Sequence, residues 1–471
     1  VLSSIRVSSF LLAAALLTGC GLMPPLGAKR LESDIAGVKG VAPDKWSALP
    51  KIAPKAATGW LADYNSPALR QLVDRAITAN PDLKAASARV TQAQAETVQA
   101  GAALLPSISG NFAASRQQTP ADQRFSGLNF INNRFRLPLN VSWEVDLWGR
   151  VADERGAAKS RRFAAEEDFH AARLSMAASA VRTAVTLAEA QSLLALAEQN
   201  VSTRRVQLGI LEKQMERGLE PDRAALDVSL GRADLARAEA TVQQRRAAAD
   251  QSRRALEVLM GGYPAGAEKG LTSLPHLSRQ IPVGLPSELL LRRPDLRAAE
   301  RRLESALKLE SSAKKAFLPS IRLTGDYGRT SADIDDLMEP ETAMWSIASS
   351  ITQSVFQGGR IVASVKLARA RYEEQLQTYT SSVLTAFREV ETALAADAFL
   401  RDQAAALSRS AVEAERAEGL ALGQYEKGLT DVLTLLDARQ RAFDSRSAFI
   451  DVQARRLRNR ADLHLALGGE F

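Results

Sequence analysis

Between Phe135 and Leu147 the chain alternates without a slip. Phe135, Leu137, Leu139, Val141, Trp143, Val145 and Leu147 are apolar, and Arg136, Pro138, Asn140, Ser142, Glu144 and Asp146 lie between them. A period of two puts one set on each face of a β-strand. The pattern returns in Trp345, Ile347, Ile351 and Val355, set against Ser346, Ser350, Thr352 and Ser354. Ile321, Leu323 and Tyr327 alternate with Arg322, Thr324 and Asp326, and Ile108 and Phe112 do so more faintly with Ser109 and Asn111. Pro138 has no ladder donor, which predicts a bulge or a sheet edge there. Long strands with one apolar face fit the wall of a membrane barrel, and also a soluble sandwich. Four strands cannot close around a lumen, and lipid tolerates no open edge, so a membrane version requires several copies in one barrel.

Elsewhere the period is helical. A helix is expected over Pro67–Leu104, ending before Pro106. Val151–Arg217 and Ile361–Lys427 each run without a proline, for roughly 100 Å at 1.5 Å per residue. Such lengths imply coiled coil or a helical repeat. Leu187, Leu194, Val201 and Leu208 recur every heptad, with Ala190, Ala197 and Leu211 at the partner spacing. The second long segment has a weaker seam in Leu400, Leu407, Ala414 and Ala421. Gly218 and Gly428 mark tight turns, followed by return helices over Asp222–Met260 and on to about Leu467.

The two halves share one plan. Asn80-Pro81-Asp82-Leu83 has its partner in Arg293-Pro294-Asp295-Leu296, and Leu105-Pro106-Ser107-Ile108 in Leu318-Pro319-Ser320-Ile321. Gly149-Arg150 matches Gly359-Arg360, and Gly218 and Asp227 match Gly428 and Asp437. A displacement of about 210 residues throughout is the mark of an internal duplication. The expected organisation is a signal peptide (1–19), an extended N-terminal tether (20–64), a first repeat (65–270), a linker (271–285) and a second repeat (286–471).

Composition narrows the class. Of 471 residues, 46% are hydrophobic but only 5% aromatic, which suits alanine-seamed helices better than a bulky enzyme core. A formal charge of +7 is spread over alternating acids and bases, so the basic pairs Arg301-Arg302 and Arg455-Arg456 do not form a nucleic-acid groove. His170, His276 and His464 are far apart, no metal spacing or nucleophile elbow occurs, and His170 and His464 are expected on helix surfaces. The six methionines form no soft-metal cluster. The opening "VLSSIRVSSFLLAAALLTGC" is a secretory signal, too short to span. Its ending Leu17-Thr18-Gly19-Cys20 resembles a bacterial lipobox, in which the cysteine is lipidated and becomes the first residue. Gly21 resembles the signal for outer-membrane delivery. No cofactor is expected apart from covalent lipid on Cys20.

"LLTGC", "NPDLKAA", "LPSISG", "VSWEVDLWGR", "GLPSELLLRRPDLRAAE", "AFLPSIRLTGDYG", "ITQSVFQGGR" and "YEKGLTDVLTLLDARQ" together resemble the TolC-like outer membrane factors. The similarity is to the NodT/OprM-like lipoprotein branch that serves resistance–nodulation–division efflux pumps, and it covers nearly all of the chain after Cys20. The resemblance implies a mainly α protein with transmembrane β. An internally duplicated α-helical coiled-coil barrel would continue a 12-stranded trimeric β-barrel, with four strands from each protomer. It further implies a homotrimer in the outer membrane, lipid-anchored, its helices in the periplasm, working with a periplasmic adaptor and an inner-membrane pump. Asp437 falls on a tip aspartate of that family, and Asp227 is its repeat counterpart. Tyr425 falls on a tip tyrosine that ties neighbouring coils, and Thr434 stands where some members carry a second aspartate. Arg150 and Arg360 close the strand-to-helix junctions beside Gly149 and Gly359.

The residues leave alternatives beside these roles. Asp227 and Asp437 also suit surface ion pairs with Arg223, one helical turn before, and Arg441, one turn after, and Tyr425 suits plain packing. The function implied is a passive exit duct, set against a lipid-anchored periplasmic coiled-coil scaffold without channel activity.

Overall fold

The computed structural model describes residues 26–48, 59–119, 130–217, 221–277 and 286–469. Cys20 and Gly218 fall outside that set. In chain order the elements are α1 (Leu26–Lys39), a 3-10 turn (Trp60–Tyr64), α2 (Pro67–Ala79), α3 (Pro81–Ala102), β1 (Ser107–Gly110), β2 (Ala113–Thr119), β3 (Phe130–Val145), α4 (Arg150–Glu216) and α5 (Pro221–Leu259). There follow α6 (Pro286–Arg292), α7 (Pro294–Lys315), β4 (Ser320–Ser331), β5 (Ala343–Thr352), α8 (Arg360–Glu426) and α9 (Val432–Ala466). Both α4 and α8 hold 67 residues.

The helix expected over Pro67–Leu104 is in fact two. Proline disfavours the helical conformation in the residue before it, so α2 stops ahead of Asn80-Pro81. The Asn80 carboxamide oxygen then accepts from the N–H groups of Asp82 and Leu83, at 2.8 and 3.2 Å, and starts α3. Arg293-Pro294 divides α6 from α7 in the same way.

The packing units are not the sequence repeats. One unit combines the described residues up to Gly40 with Arg89–Glu166 and Ala298–Thr380; the other combines Val41–Ala88, Glu167–Arg297 and Ser381–Phe471. The long helices pass through both, so each unit takes a slice of each repeat.

The first unit holds the sheet, in the order β1-β3-β4-β5, with β2 also on β3. All pairs are antiparallel. β1 and β2 keep one register along β3, from Ser107 opposite Ser142 to Thr119 opposite Phe130. They are one strand whose ladder lapses opposite Pro138. The proline offers only its carbonyl, which accepts from Asn111 N–H at 3.2 Å. It therefore sits in a central strand, with neither the bulge nor the edge that its chemistry suggested.

The tether is also different from expectation. Residues Leu26–Lys39 are helical and docked: Arg30 pairs with the almost fully buried Glu310 at 3.2 Å, and Lys39 with Glu300 at 3.2 Å. The Tyr372 hydroxyl donates to Asp34 at 2.6 Å.

The second unit is built on small residues. Ala177, Ala180, Ala184 and Ala188 of α4 are fully buried with Leu256 of α5, Ala454 and Ala461 of α9, and Val73 and Ala76 of α2. Alanine at i, i+3, i+4 spacing lets helix axes approach to about 8 Å. Trp60 and Tyr64 close this core, and the Tyr64 hydroxyl donates to Leu457 carbonyl at 2.9 Å. Leu271, the first residue of the expected linker, is buried here too. His464 belongs inside and not on the surface: it is buried against Trp60 and bonded to Asp63.

Candidate functional site: the sheet faces and the hairpin ends

The register settles which residues share a face of the sheet. Leu139 lies opposite Tyr327, and Tyr327 opposite Trp345. Val141 follows with Ile108, Gly325 and Ile347, then Trp143 with Leu323, and Val145 with Ile321 and Ile351. Phe135 and Leu137 extend this face on β3. Between the levels of Leu139 and Val145 it is apolar apart from Ser349, and it is uncovered: Trp345, Ile347 and Ile351 are 73%, 81% and 71% exposed. Beyond Leu137 the same side turns polar, with Arg329, Ser331, Asn133 and Arg116. Val355, expected on the same face, lies beyond the end of β5. The ladder ends where Thr352 meets Ser320, because the partner chain has by then left the sheet for α7. Val355 is exposed all the same.

The opposite face carries Ser109, Arg136, Asn140, Ser142, Glu144, Arg322, Thr324, Asp326, Ser346 and Ser350. Glu144 lies opposite Arg322, and Asn140 opposite Asp326, whose carboxylate accepts from the Ser346 hydroxyl. Water on this side and hydrocarbon on the other satisfies both sets of side chains. No helix among the described residues is long and apolar enough to cross a membrane.

At the base of the sheet the junction residues fix how strand becomes helix. Gly149 adopts φ 73°, a left-handed conformation natural to glycine. Asp146 then accepts from the N–H groups of Val151 and Ala152, at 3.1 and 2.7 Å, and caps α4. Arg150 bridges Glu144 and Glu154 at 2.7 and 2.8 Å. Burial alone would lower the pKa of its guanidinium, but these carboxylates hold it above the usual value. In the second repeat Gly359 has φ 82°, and Arg360 bonds to Gln357. The Trp148 ring nitrogen donates to Pro319 carbonyl at 2.7 Å, and that of Trp143 to Leu104 carbonyl at 2.9 Å.

In the other unit the four hairpin helices end in a small apolar cluster. Leu211 of α4, Val228 of α5 and Val432 of α9 are buried there, with Tyr425 of α8 packed against them. The Tyr425 hydroxyl also reaches Gln214 Oε1 at 3.4 Å. It is thus both a packing ring and a link from α8 to α4. Gly428 has φ 69° and completes a Schellman cap: its N–H donates to Tyr425 carbonyl, and that of Leu429 to Gln424 carbonyl, both at 2.9 Å. Asp431, not singled out in the sequence, caps α9 by accepting from Thr434 N–H at 2.8 Å. Asp437 is exposed and pairs with Arg441 at 2.8 Å; Asp227 is half-buried on α5.

A few turns from these ends lies a layer that the heptads concealed. Arg204 stands one heptad after Ala197 and one before Leu211, and is only 4% exposed. It pairs with Asp234 of α5 and donates to Gln440 of α9 at 3.2 Å. In the second hairpin the polarity is exchanged: Glu418 of α8 faces the buried Arg439 of α9 at 3.6 Å. Burial and the like charge of Arg439 push the Arg204 guanidinium below its usual pKa. A single charge in an apolar seam is invisible to a pattern that tolerates exceptions.

The sequence pattern of the outer membrane efflux protein family matches residues 72–262 and again 285–469. This chain belongs to that family. The outer membrane protein OprJ of Pseudomonas aeruginosa is 32% identical over 469 residues, covering 98% of this chain and 95% of OprJ. The solved structure of the outer-membrane channel OprN superposes with a TM-score of 0.84 at 27% identity, over 91% of this chain and 97% of that chain. The Campylobacter jejuni CmeC outer membrane channel does so with a TM-score of 0.84 at 27% identity, over 90% of each chain.

Proposed function

We propose that three copies of this chain close their sheets into one twelve-stranded barrel in the outer membrane. The barrel and the hairpins would then form a passive duct for solutes delivered by an inner-membrane pump through a periplasmic adaptor. One observation carries this: between the levels of Leu139 and Val145 the sheet presents a mainly apolar, uncovered face and a polar opposite face, and it has two open edges, β1/β2 and β5. Hydrocarbon admits the apolar face but no unpaired edge, and sister copies complete the ring. Conduction asks for a wet, polar lining and weak binding, not for chemistry on the solute. Among the described residues no cluster of His, Cys, Asp or Glu is placed to hold a metal ion. The name OprJ denotes an outer membrane protein, and ArpC of Pseudomonas putida, 30% identical over 478 residues, an antibiotic efflux pump outer membrane protein. Both fit the reading.

The hairpin ends are the natural gate. Gly428 turns the chain; Tyr425 links coils; Asp437 and Asp227 supply negative charge that a trimer would triplicate. Like charges in a throat attract cations and resist anions. Cys20 would carry the lipid, with two acyl chains sufficing for stable anchoring. The decisive experiment is planar-bilayer recording of the purified protein: stepwise, trimer-dependent conductance is expected, and a soluble monomer without bilayer activity would replace the duct with a tethered scaffold. Asp227→Ala with Asp437→Ala should reduce cation preference and leave trimers intact, whereas unchanged selectivity removes the gate assignment. Cys20→Ser should still insert.

A further inference from the structure

The polar face of the sheet is not uniformly charged. On β3, Arg134 and Arg136 share that face with Asn140 and Ser142. Their ladder neighbours are neutral: Ala113 and Thr330 flank Arg136, and Ser115 lies opposite Arg134. Among the described residues neither arginine has a carboxylate partner; Arg136 reaches only the Met344 sulfur, at 4.0 Å. Farther down the same face Glu144 lies opposite Arg322, and Asp326, opposite Asn140, accepts from the neutral Ser346 hydroxyl and keeps its negative charge. On β3 the positive charge of this face is thus concentrated near the end remote from the helices.

That end is the outlet. Arg136 lies about 30 Å along β3 from Val145 at 3.3 Å per residue. At a tilt near 40° this is about 23 Å of height, close to the roughly 25 Å apolar band of an outer-membrane barrel. Twelve strands 4.8 Å apart at that tilt give a wall radius of about 12 Å. Side chains projecting inward bring their charge within about one Debye length, roughly 8 Å, of the axis.

We propose that Arg134 and Arg136 form a ring of guanidinium groups at the outer mouth that favours solutes bearing carboxylate, sulfonate or phosphate groups. The proposal rests on the duct reading above and gives the outlet a selectivity opposite in sign to that of the acidic hairpin ends. Rings of arginine are the established means by which pores prefer anions, and the fork of each guanidinium suits oxyanions.

The test is bilayer recording of the full-length trimer with inorganic tripolyphosphate added on the barrel side, together with the reversal potential in a KCl gradient. The wild type should be blocked. Arg134→Gln/Arg136→Gln should need at least about tenfold more tripolyphosphate for the same block, with reversal shifted toward cations, because counterion attraction scales with the ring charge. Arg134→Lys/Arg136→Lys should retain both properties. If the glutamine pair does not insert, the salt dependence of block in the lysine pair decides: block that fades as KCl rises supports the ring, and salt-independent block overturns it. A wild type that passes no current overturns the duct and the ring together. A conducting wild type that tripolyphosphate does not block, or whose block and reversal survive in the glutamine pair, overturns the ring alone.

Discussion

Arg204 of α4 pairs with Asp234 of α5 inside the seam of the first hairpin, where both neighbouring heptads bury apolar residues. The second hairpin repeats the device with the signs exchanged, Glu418 on the long helix and Arg439 on the return helix. Placing a base on one long helix and an acid on the other makes the two hairpins chemically distinct despite their common origin. A buried polar pair is a poor source of net stability but a good determinant of register.

Removing one partner is therefore expected to cost far more than removing both. Arg204→Met strands Asp234 in a seam, and should destabilise the hairpin by about 3–5 kcal/mol. Arg204→Met with Asp234→Leu should recover most of that loss. Denaturant midpoints of the detergent-solubilised protein measure both. If the double variant is as unstable as the single one, packing and not charge accounts for the layer.

In the sheet, Pro138 faces Gly328, and a side chain there would be obstructed: a Cβ on Gly328 would fall 2.4 Å from Leu137 oxygen and 2.5 Å from Pro138 Cα. Gly328→Ala should displace β4 from β3 and destabilise the sheet by roughly 1–3 kcal/mol. Gly325→Ala, whose Cβ would meet only Ser346 oxygen at 3.5 Å, should be tolerated. The fraction of protein running as heat-resistant trimer reads the difference, and equal losses would refute the role given to the Pro138–Gly328 pair.

The sequence disclosed what depends on local period and concealed what depends on partners. Alternation in Phe135–Val145 and Trp345–Ile351 located two strands and their faces, because a strand's sidedness is a property of its own residues. The 67-residue helices α4 and α8 were legible to within a residue for the same reason. Pro138 was misread because its accommodation rests on Gly328, distant in sequence, and on a lapse in the facing strand. The break at Asn80 was signalled by Pro81, but helical periodicity on both sides masked it. His464 looked like a surface residue until Asp63 and Trp60, from the other end of the chain, covered it. At the hairpin ends, the position of Tyr425 was readable from its motif, whereas its contact with Gln214 was not.

Asp437 is held by Arg441 at 2.8 Å, yet both side chains are largely exposed. Such a pair contributes only about 0.3–0.5 kcal/mol. In the proposed duct its effect would be electrostatic, with Arg441 neutralising part of the charge that Asp437 presents. Arg441→Ala should leave thermal stability within experimental error and increase cation preference in bilayer recordings, while Asp437→Ala should decrease it. Shifts of the same sign in both variants would exclude a direct role for the carboxylate.

Asp63, in the 3-10 turn near the end of the expected tether, ties that segment to α9. His464 Nε2 lies 2.9 Å from its carboxylate and Arg460 Nη1 lies 3.4 Å away, while Asp397 of α8 faces the other arm of Arg460 at 3.6 Å. Burial alone would raise the Asp63 pKa, but the hydrogen bond and charge of His464, with those of Arg460, outweigh it and hold the carboxyl below its usual value. A carboxyl depressed in the folded state stabilises fully above the unfolded value, about 3.9, and loses that contribution as pH falls through the folded value. From pH 5 downward, the stability advantage of the wild type over Asp63→Asn should hold steady to about pH 4 and then shrink. Acid unfolding of the two proteins, followed by tryptophan fluorescence through the stacked Trp60, measures this. An advantage that grows as the solution is acidified would mean that the carboxyl is raised and not depressed, and that burial outweighs its cationic partners.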